Sequence, residues 1–131
     1  MSDFVTTLLG AIDSKDAAGI RAAYAPEARL VTMTPNTFQS SEGVDAVAEK
    51  LAEWYASWEE NPGFSFLSTV RDGNRVVVDF ERTCTFEGAS WVVRQAHVMD
   101  VGPAGIRDHR IYCCGPRQGE PELAAAYGER S

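Results

Sequence analysis

The side chains best suited to proton chemistry are two histidines, His97 and His109, the only side chains whose ordinary pKa lies close to neutrality. Upstream lies Arg82, a guanidinium in the middle of the apolar row Val76, Val78, Phe80, Cys84 and Phe86. Strand alternation sends that row to one face and Val77, Asp79, Glu81, Thr83, Thr85 and Glu87 to the other. The second face reads as solvated. An unpaired buried charge is costly, so Arg82 must meet water, a carboxylate or a ligand. A two-residue turn at Gly88-Ala89 pairs Phe86 with Trp91, Cys84 with Val93, Arg82 with Gln95 and Phe80 with His97. Trp91, Val93, Gln95, His97 and Met99 then share the inward face, with His97 diagonal to Arg82. Convergent polar groups on apolar walls are how small-molecule pockets are built.

In that setting His97 is the candidate acid–base group. Partial burial beside Arg82 favours the neutral imidazole, which suits a general base; the alternative is a core histidine bonded to Gln95 or a carbonyl. Arg82 is the candidate clamp for an oxyanion or carboxylate, against a structural salt bridge to Asp108 or Glu27. Gln95 is placed to orient a substrate by hydrogen bonding. Phe80, Trp91 and Met99 would supply apolar contacts, with Trp54 and Trp58 lining the hollow as a consequence of packing their helix on the sheet. Tyr24 and Tyr55 could each offer a phenol. The facing of His109 depends on the last hairpin. A strict four-residue loop turns Asp108, Arg110 and Tyr112 inward, whereas a one-residue bulge turns His109, Ile111 and Cys113 inward. The bulge is preferred, because it avoids burying Asp108 and Arg110. Cys84 and Cys113 read as inert thiols, with no base beside them to make a thiolate.

The elements that must hold these groups come in an α+β order. Ser2-Asp3 caps a first helix with Phe4, Leu8 and Ile12 on its apolar stripe. A second helix, started by Asp13-Ser14, runs from about Lys15 to Tyr24 and is stopped by Pro26. A strand over 28–33 and a short one over 37–40 precede the longest helix, which opens at Gly43 and carries Val47, Leu51, Trp54 and Trp58 on one face. After Asn61-Pro62-Gly63 come four strand-like runs, 64–70, 75–86, 90–101 and 106–114, separated by hairpin chemistry. The expected division is a domain over 1–115 and a tail over 116–131 with a short helix at Glu122–Tyr127.

At 131 residues the chain fits one domain, large enough for a core without metals or disulfides. Three cysteines, two of them adjacent, make no disulfide framework, and no metal-ligand spacing is present. A net charge of −7 argues against phosphate backbones and anionic membranes as partners. No apolar run is long enough to span a bilayer, and Met1-Ser2-Asp3-Phe4 lacks the character of an export leader, so a cytoplasmic protein is expected.

The opening helices, Tyr24-Ala25-Pro26-Glu27-Ala28-Arg29-Leu30, Gly43 and the ending Gly105-Ile106-Arg107-Asp108-His109-Arg110-Ile111-Tyr112 together resemble the nuclear transport factor 2-like superfamily, in its SnoaL-like branch. The resemblance spans roughly residues 2–114. It implies a cone-shaped, cystatin-like α+β barrel, with three helices on a strongly curved antiparallel sheet, an interior pocket, and commonly a homodimer through the outer sheet face. Members include ketosteroid isomerase, polyketide cyclases, scytalone dehydratase and limonene epoxide hydrolase, besides non-catalytic domains, so the fold does not select a chemistry. Against ketosteroid isomerase, the catalytic base falls on Thr32, the oxyanion-hole tyrosine on Leu8 and the oxyanion-hole aspartic acid on His97. Against limonene-type hydrolases, Glu81-Arg82-Thr83-Cys84 keeps the arginine but has cysteine for the water-activating aspartate, and the final-strand aspartate falls on Ile111. The expectation is therefore a cofactor-independent enzyme of natural-product metabolism, metal-free, acting on a hydrophobic small molecule. Cyclisation or isomerisation ranks first, with epoxide opening or dehydration second; the alternative is a non-catalytic ligand-binding or dimerisation module.

Overall fold

The computed structural model describes residues 3–56, 59–60 and 64–127. Helix α1 (Phe4–Ser14) starts where the Asp3 carboxylate accepts the amides of Val5 and Thr6 at 3.1 and 3.4 Å, satisfying donors that a first turn leaves open. Its buried stripe is Val5, Leu8, Ala11 and Ile12; Phe4 is half-buried at the edge. Lys15 ends the helix in the left-handed region (φ 56°), and Asp16, rather than Asp13-Ser14, caps α2 (Ala17–Ala22). The second helix is thus shorter than its spacing suggests, because Tyr24 already belongs to a strand.

That strand, β1 (Tyr24–Thr34), begins four residues ahead of the expected start. A register shift between Tyr24 and Arg29 absorbs Pro26, which has no amide to give to a ladder. It continues into β2 (Thr37–Glu42) and α3 (Val44–Ala56), whose inward side buries Val47, Ala48, Leu51 and Tyr55. Then follow β3 (Glu59–Glu60), β4 (Phe66–Asp72), β5 (Arg75–Phe86), β6 (Ala89–Gly102), β7 (Gly105–Cys113), β8 (Arg117–Gln118) and α4 (Leu123–Tyr127).

One sheet runs β2-β1-β7-β6-β5-β3, with β4 also on β5 and β8 also on β6. The architecture is α+β around a curved, unclosed sheet. It is mixed rather than purely antiparallel, since β1 lies parallel to β7. Most of the chain separates those two strands, so the long connection that parallel pairing requires is available. Gly105 makes the approach possible: at φ 135°, a Cβ there would sit 2.7 Å from the Ala25 nitrogen and the Tyr24 carbonyl carbon. The start of β7 is thereby pressed against Tyr24.

Two turns fix what faces inward. The β5–β6 turn is Glu87-Gly88, both at positive φ (51° and 78°), the backbone a tight hairpin favours. It pairs Phe86 with Ala89, Arg82 with Val93, Phe80 with Gln95 and Val78 with His97. Each pairing is offset by two residues from that of a Gly88-Ala89 turn, and a two-residue offset leaves every side chain on its face. In the β6–β7 hairpin a register shift at Asp100/Val101 sets Met99 opposite His109 and His97 opposite Ile111. The bulged alternative is the one adopted, and His109 and Ile111 are fully buried.

Residues 116–127 are built onto the domain. β8 pairs with Trp91 and Val92, and α4 crosses the outer face. There Glu81 is fully buried instead of solvated. Its carboxylate accepts the amides of Glu122, Leu123 and Ala124 at 3.0, 3.1 and 3.4 Å, the Arg94 Nε at 2.9 Å and the Ser65 hydroxyl at 2.9 Å. Burial opposes the charge, but these donors outweigh it and hold the carboxyl below its ordinary pKa.

Candidate functional site

Five polar side chains from four elements form one continuous chain inside the domain. Tyr55, an i+4 neighbour of Leu51 on α3, donates its phenol proton to Gln95 Oε1 on β6 at 2.7 Å. His97 Nε2, two residues on, lies 2.9 Å from the same oxygen. His97 Nδ1 lies 2.7 Å from His109 Nε2 on β7, and His109 Nδ1 lies 2.6 Å from the Tyr24 hydroxyl on β1. Alternation on β6 and β7 turns the three middle members inward, while the close passage of β1 at Gly105 brings up the last.

The surroundings are apolar. Phe80 lies 5.0 Å from the His97 ring, Tyr24 stacks on His109 at 5.9 Å, and Met99 is fully buried beside them in the core. Both imidazoles are fully buried. Burial lowers the His97 pKa to about 3, and burial followed by the neighbouring His97 lowers that of His109 well below its ordinary value. The Tyr24 phenol is pushed up, by burial first and then by Tyr55. The chain is therefore neutral at pH 7, each member hydrogen-bonded to the next.

At its Tyr55–Gln95 end the chain meets a small cavity of about 60 Å³. Among the described residues it is walled by Thr34, Trp54, Tyr55, Val93, Gln95, Cys113 and Pro116. Here the Cys113 Sγ accepts from Gln95 Nε2 at 3.5 Å and from the Gly115 amide at 3.4 Å. A larger hollow of about 460 Å³, walled among the described residues by outer-face groups such as Met33, Asp79, Arg94 and Tyr112, also reaches Phe80, Gln95 and Cys113. Among the described residues, no three His, Cys, Asp or Glu side chains are grouped to hold a metal ion, and no helix is long and apolar enough to cross a membrane.

The structure thus gathers His97, Gln95, His109 and Tyr24 directly, with Phe80 and Met99 packed around them and Trp54 at the cavity. Arg82 shares their face but is turned elsewhere. Fully buried, its guanidinium pairs with Asp13 at the end of α1 (3.1 Å) and lies over the Phe64 ring at 4.7 Å. Its carboxylate is neither Asp108, which pairs with Arg29 on the outer face, nor Glu27. Trp91 is opposite Cys84, four residues and roughly 13 Å of strand from Gln95, with its ring against Phe86. Trp58 lies outside the described residues. Tyr55, one of the two phenols that the sequence offered to the pocket, is the member contributed by α3, four residues after Leu51.

The family model for the SnoaL-like domain matches residues 5–112. The chain belongs to the SnoaL-like domain family. No curated protein matches it by sequence. Solved structures similar to this SnoaL-like domain include a hypothetical protein of ketosteroid isomerase-like fold from Catenulispora acidiphila, in complex with trimethylamine. It shares 15% identity over 86% of this chain and 85% of that one, with a TM-score of 0.67. An LEH-like epoxide hydrolase of M. tuberculosis shares 17% over 84% and 79%, at 0.63. A Sinorhizobium meliloti protein assigned as a polyketide cyclase shares 17% over 85% and 94%, at 0.60. At such identities these likenesses establish the fold and leave the chemistry to the residues.

Proposed function

We propose that this SnoaL-like domain is a cofactor-independent enzyme that performs acid–base chemistry on a hydrophobic, natural-product-like molecule. Cyclisation or isomerisation ranks ahead of epoxide opening or dehydration. The observation that carries this reading is the buried chain Tyr55–Gln95–His97–His109–Tyr24 ending at a cavity. A core that only had to be stable would be served as well by apolar side chains, since buried polar groups gain little net free energy even when fully paired.

In this proposal the reacting group sits against Gln95, whose amide supports a carbonyl, enol or alkoxide oxygen. His97 stands behind Gln95 and not on the cavity wall, and it exchanges the proton once the substrate replaces Gln95 Oε1 as the partner of its Nε2. Held at about 3 by burial, His97 is a weak base toward water, so it accepts a proton only when a nearby developing anion compensates. Arg82, directed at Asp13, acts as wall and distant positive charge. Mass spectrometry of small molecules that co-purify with the protein would supply the substrate class. With that substrate, His97→Ala lowers turnover at least about 100-fold; near-normal turnover removes the enzymatic reading.

The second reading, a ligand-binding or dimerisation module without chemistry, is favoured by two details. Arg82 already has a carboxylate partner, and both nitrogens of His97 are engaged. For either reading, the proposed self-association runs through the outer sheet face, where Tyr112 is 45% exposed beside the half-buried Met33 and Ala96. Since α4 covers Glu81, the contact would centre on β7 and β1. Sedimentation of Tyr112→Glu against the parent tests it, with a lighter species expected for the variant.

A further inference from the structure

The protons of the inner chain can be counted. Tyr55 and His97 Nε2 both lie within hydrogen-bond distance of Gln95 Oε1, and an amide oxygen only accepts, so His97 carries its proton on Nε2. In the neutral ring Nδ1 is then bare and takes a proton donor, which His109 supplies from its own Nε2. His109 Nδ1 is left to accept the Tyr24 hydroxyl. The reverse polarity, with the Gln95 amide turned over and both rings protonated on Nδ1, fits the same heavy-atom distances. It would deprive the buried Tyr24 proton of its His109 acceptor and set an amide N–H against the Tyr55 oxygen, turning that phenol proton away from Gln95. Displacing the protons of two buried phenols from their acceptors makes the reverse arrangement the costlier one.

We propose that the chain runs one way, from Tyr24 to Gln95, and thereby holds the Gln95 amide with its NH₂ toward Cys113 and the cavity, so that the site selects a ligand bearing an acceptor oxygen: a ketone or ester carbonyl, or the derived enolate. One amide hydrogen is directed at Cys113 Sγ at 3.5 Å, a weak acceptor, and the second is left for the ligand. Tyr24 and His109, like His97, do not line the cavity, which the chain meets at Gln95 and Tyr55. They are positioning residues, acting on the ligand only through His97 and the orientation of Gln95. The inference rests on the reading of this cavity as the working site, and it names the kind of group that site takes.

The test is NMR on the intact ¹⁵N-labelled protein at pH 7, in two parts. Ring nitrogen shifts report the tautomers: both histidines are expected as Nε2–H, and Nδ1–H on either ring overturns the proposal. Acetone and isopropylammonium, matched in shape but opposite in hydrogen-bonding character, are then titrated while the Gln95 side-chain amide is followed, assigned by its loss in Gln95→Met. A saturable shift with acetone and none with isopropylammonium is expected; no saturable acetone shift, or preference for the cation, overturns the ligand class. Tyr24→Phe, which removes the terminal donor, should weaken the acetone response and populate Nδ1–H in His109; an unchanged tautomer and response would mean that Tyr24 positions nothing. Acetone binding at Gln95 without turnover of any substrate would defeat the enzymatic reading and leave this inference standing. Reversed tautomers would do the opposite.

Discussion

Two buried polar clusters sit back to back on the β5–β6 pair, separated by the thickness of one sheet. On the outer side, Glu81 gathers Arg94, Ser65 and three amides at the start of α4. On the inner side, Gln95, the residue next to Arg94, belongs to the neutral chain of two phenols, an amide and two imidazoles. The outer cluster is charged, has five donors on one carboxylate, and ties the last segment of the chain to the sheet. The inner one carries no net charge, has each member bonded to its neighbours, and opens on a cavity. A saturated ion cluster is suited to fastening, because removing any partner strands a buried charge. A neutral chain beside a cavity is suited to recognition, since the Gln95 amide there has only the weak acceptor Cys113 Sγ for its two hydrogens. The same strand pair thus holds structure on one side and the candidate site on the other.

The contrast can be tested most forcefully with pH. In the unfolded chain both imidazoles have pKa values near 6.5, whereas in the folded protein His97 lies at about 3 and His109 well below its ordinary value. Between those limits the unfolded chain binds more protons, so stability is complete above about pH 6.5 and falls as pH drops toward 3. His97 alone accounts for a loss on the order of 3 kcal/mol by pH 4, checked by urea unfolding across that range. Loss between pH 6.5 and 5 belongs to the inner cluster, while Glu81 contributes only further down, below its ordinary 4.5. A flat profile from pH 7 to 5 would mean that the imidazoles are not held neutral by burial.

Breaking the outer cluster should cost nearly as much without disturbing the inner one. Glu81→Gln is expected to lose about 3 kcal/mol and expose residues 116–127 to limited proteolysis, while the ring signals of His97 and His109 stay in place. Movement of those signals would show that the two clusters are coupled through the strands. A smaller effect is expected for Tyr24→Phe, about 1–2 kcal/mol by urea unfolding, from the unsatisfied His109 Nδ1. Smallest of all, Arg82→Met should stay within about 1 kcal/mol, because an apolar residue of similar reach replaces a buried ion and its partner Asp13 is partly exposed. If that variant keeps its fold but loses turnover by the same factor as His97→Ala, the clamp role of Arg82 returns.

Much of this could be read before any coordinates, and the failures have physical causes. Facing on β5, β6 and β7 followed from alternation, which survives a two-residue error in the turn; the choice of Glu87-Gly88 over Gly88-Ala89 therefore altered partners but not faces. The bulge that turns His109 inward was legible in the cost of burying Asp108 and Arg110. What alternation cannot give is the direction of a long side chain. Arg82 lies on the expected face, yet its partner, Asp13, belongs to a helix whose approach is set by packing. Nor could the row Asp79–Glu81–Glu87 reveal that one of its carboxylates is buried, because the cover comes from α4, some forty residues downstream. Tyr24 was read as a pocket phenol but at the end of a helix: Pro26 reads as a helix stop, while the chain uses it inside an irregular strand, and that strand is what brings Tyr24 to His109.

The central claim is that the two histidines form a neutral, hydrogen-bonded link in a continuous buried chain. Ring ¹⁵N spectra of the 131-residue chain from pH 7.5 down to 4.5 address it most directly. Neutral rings throughout, with no titration above about pH 5, are the predicted result. Protonation of either ring with a midpoint near 6.5 would contradict it.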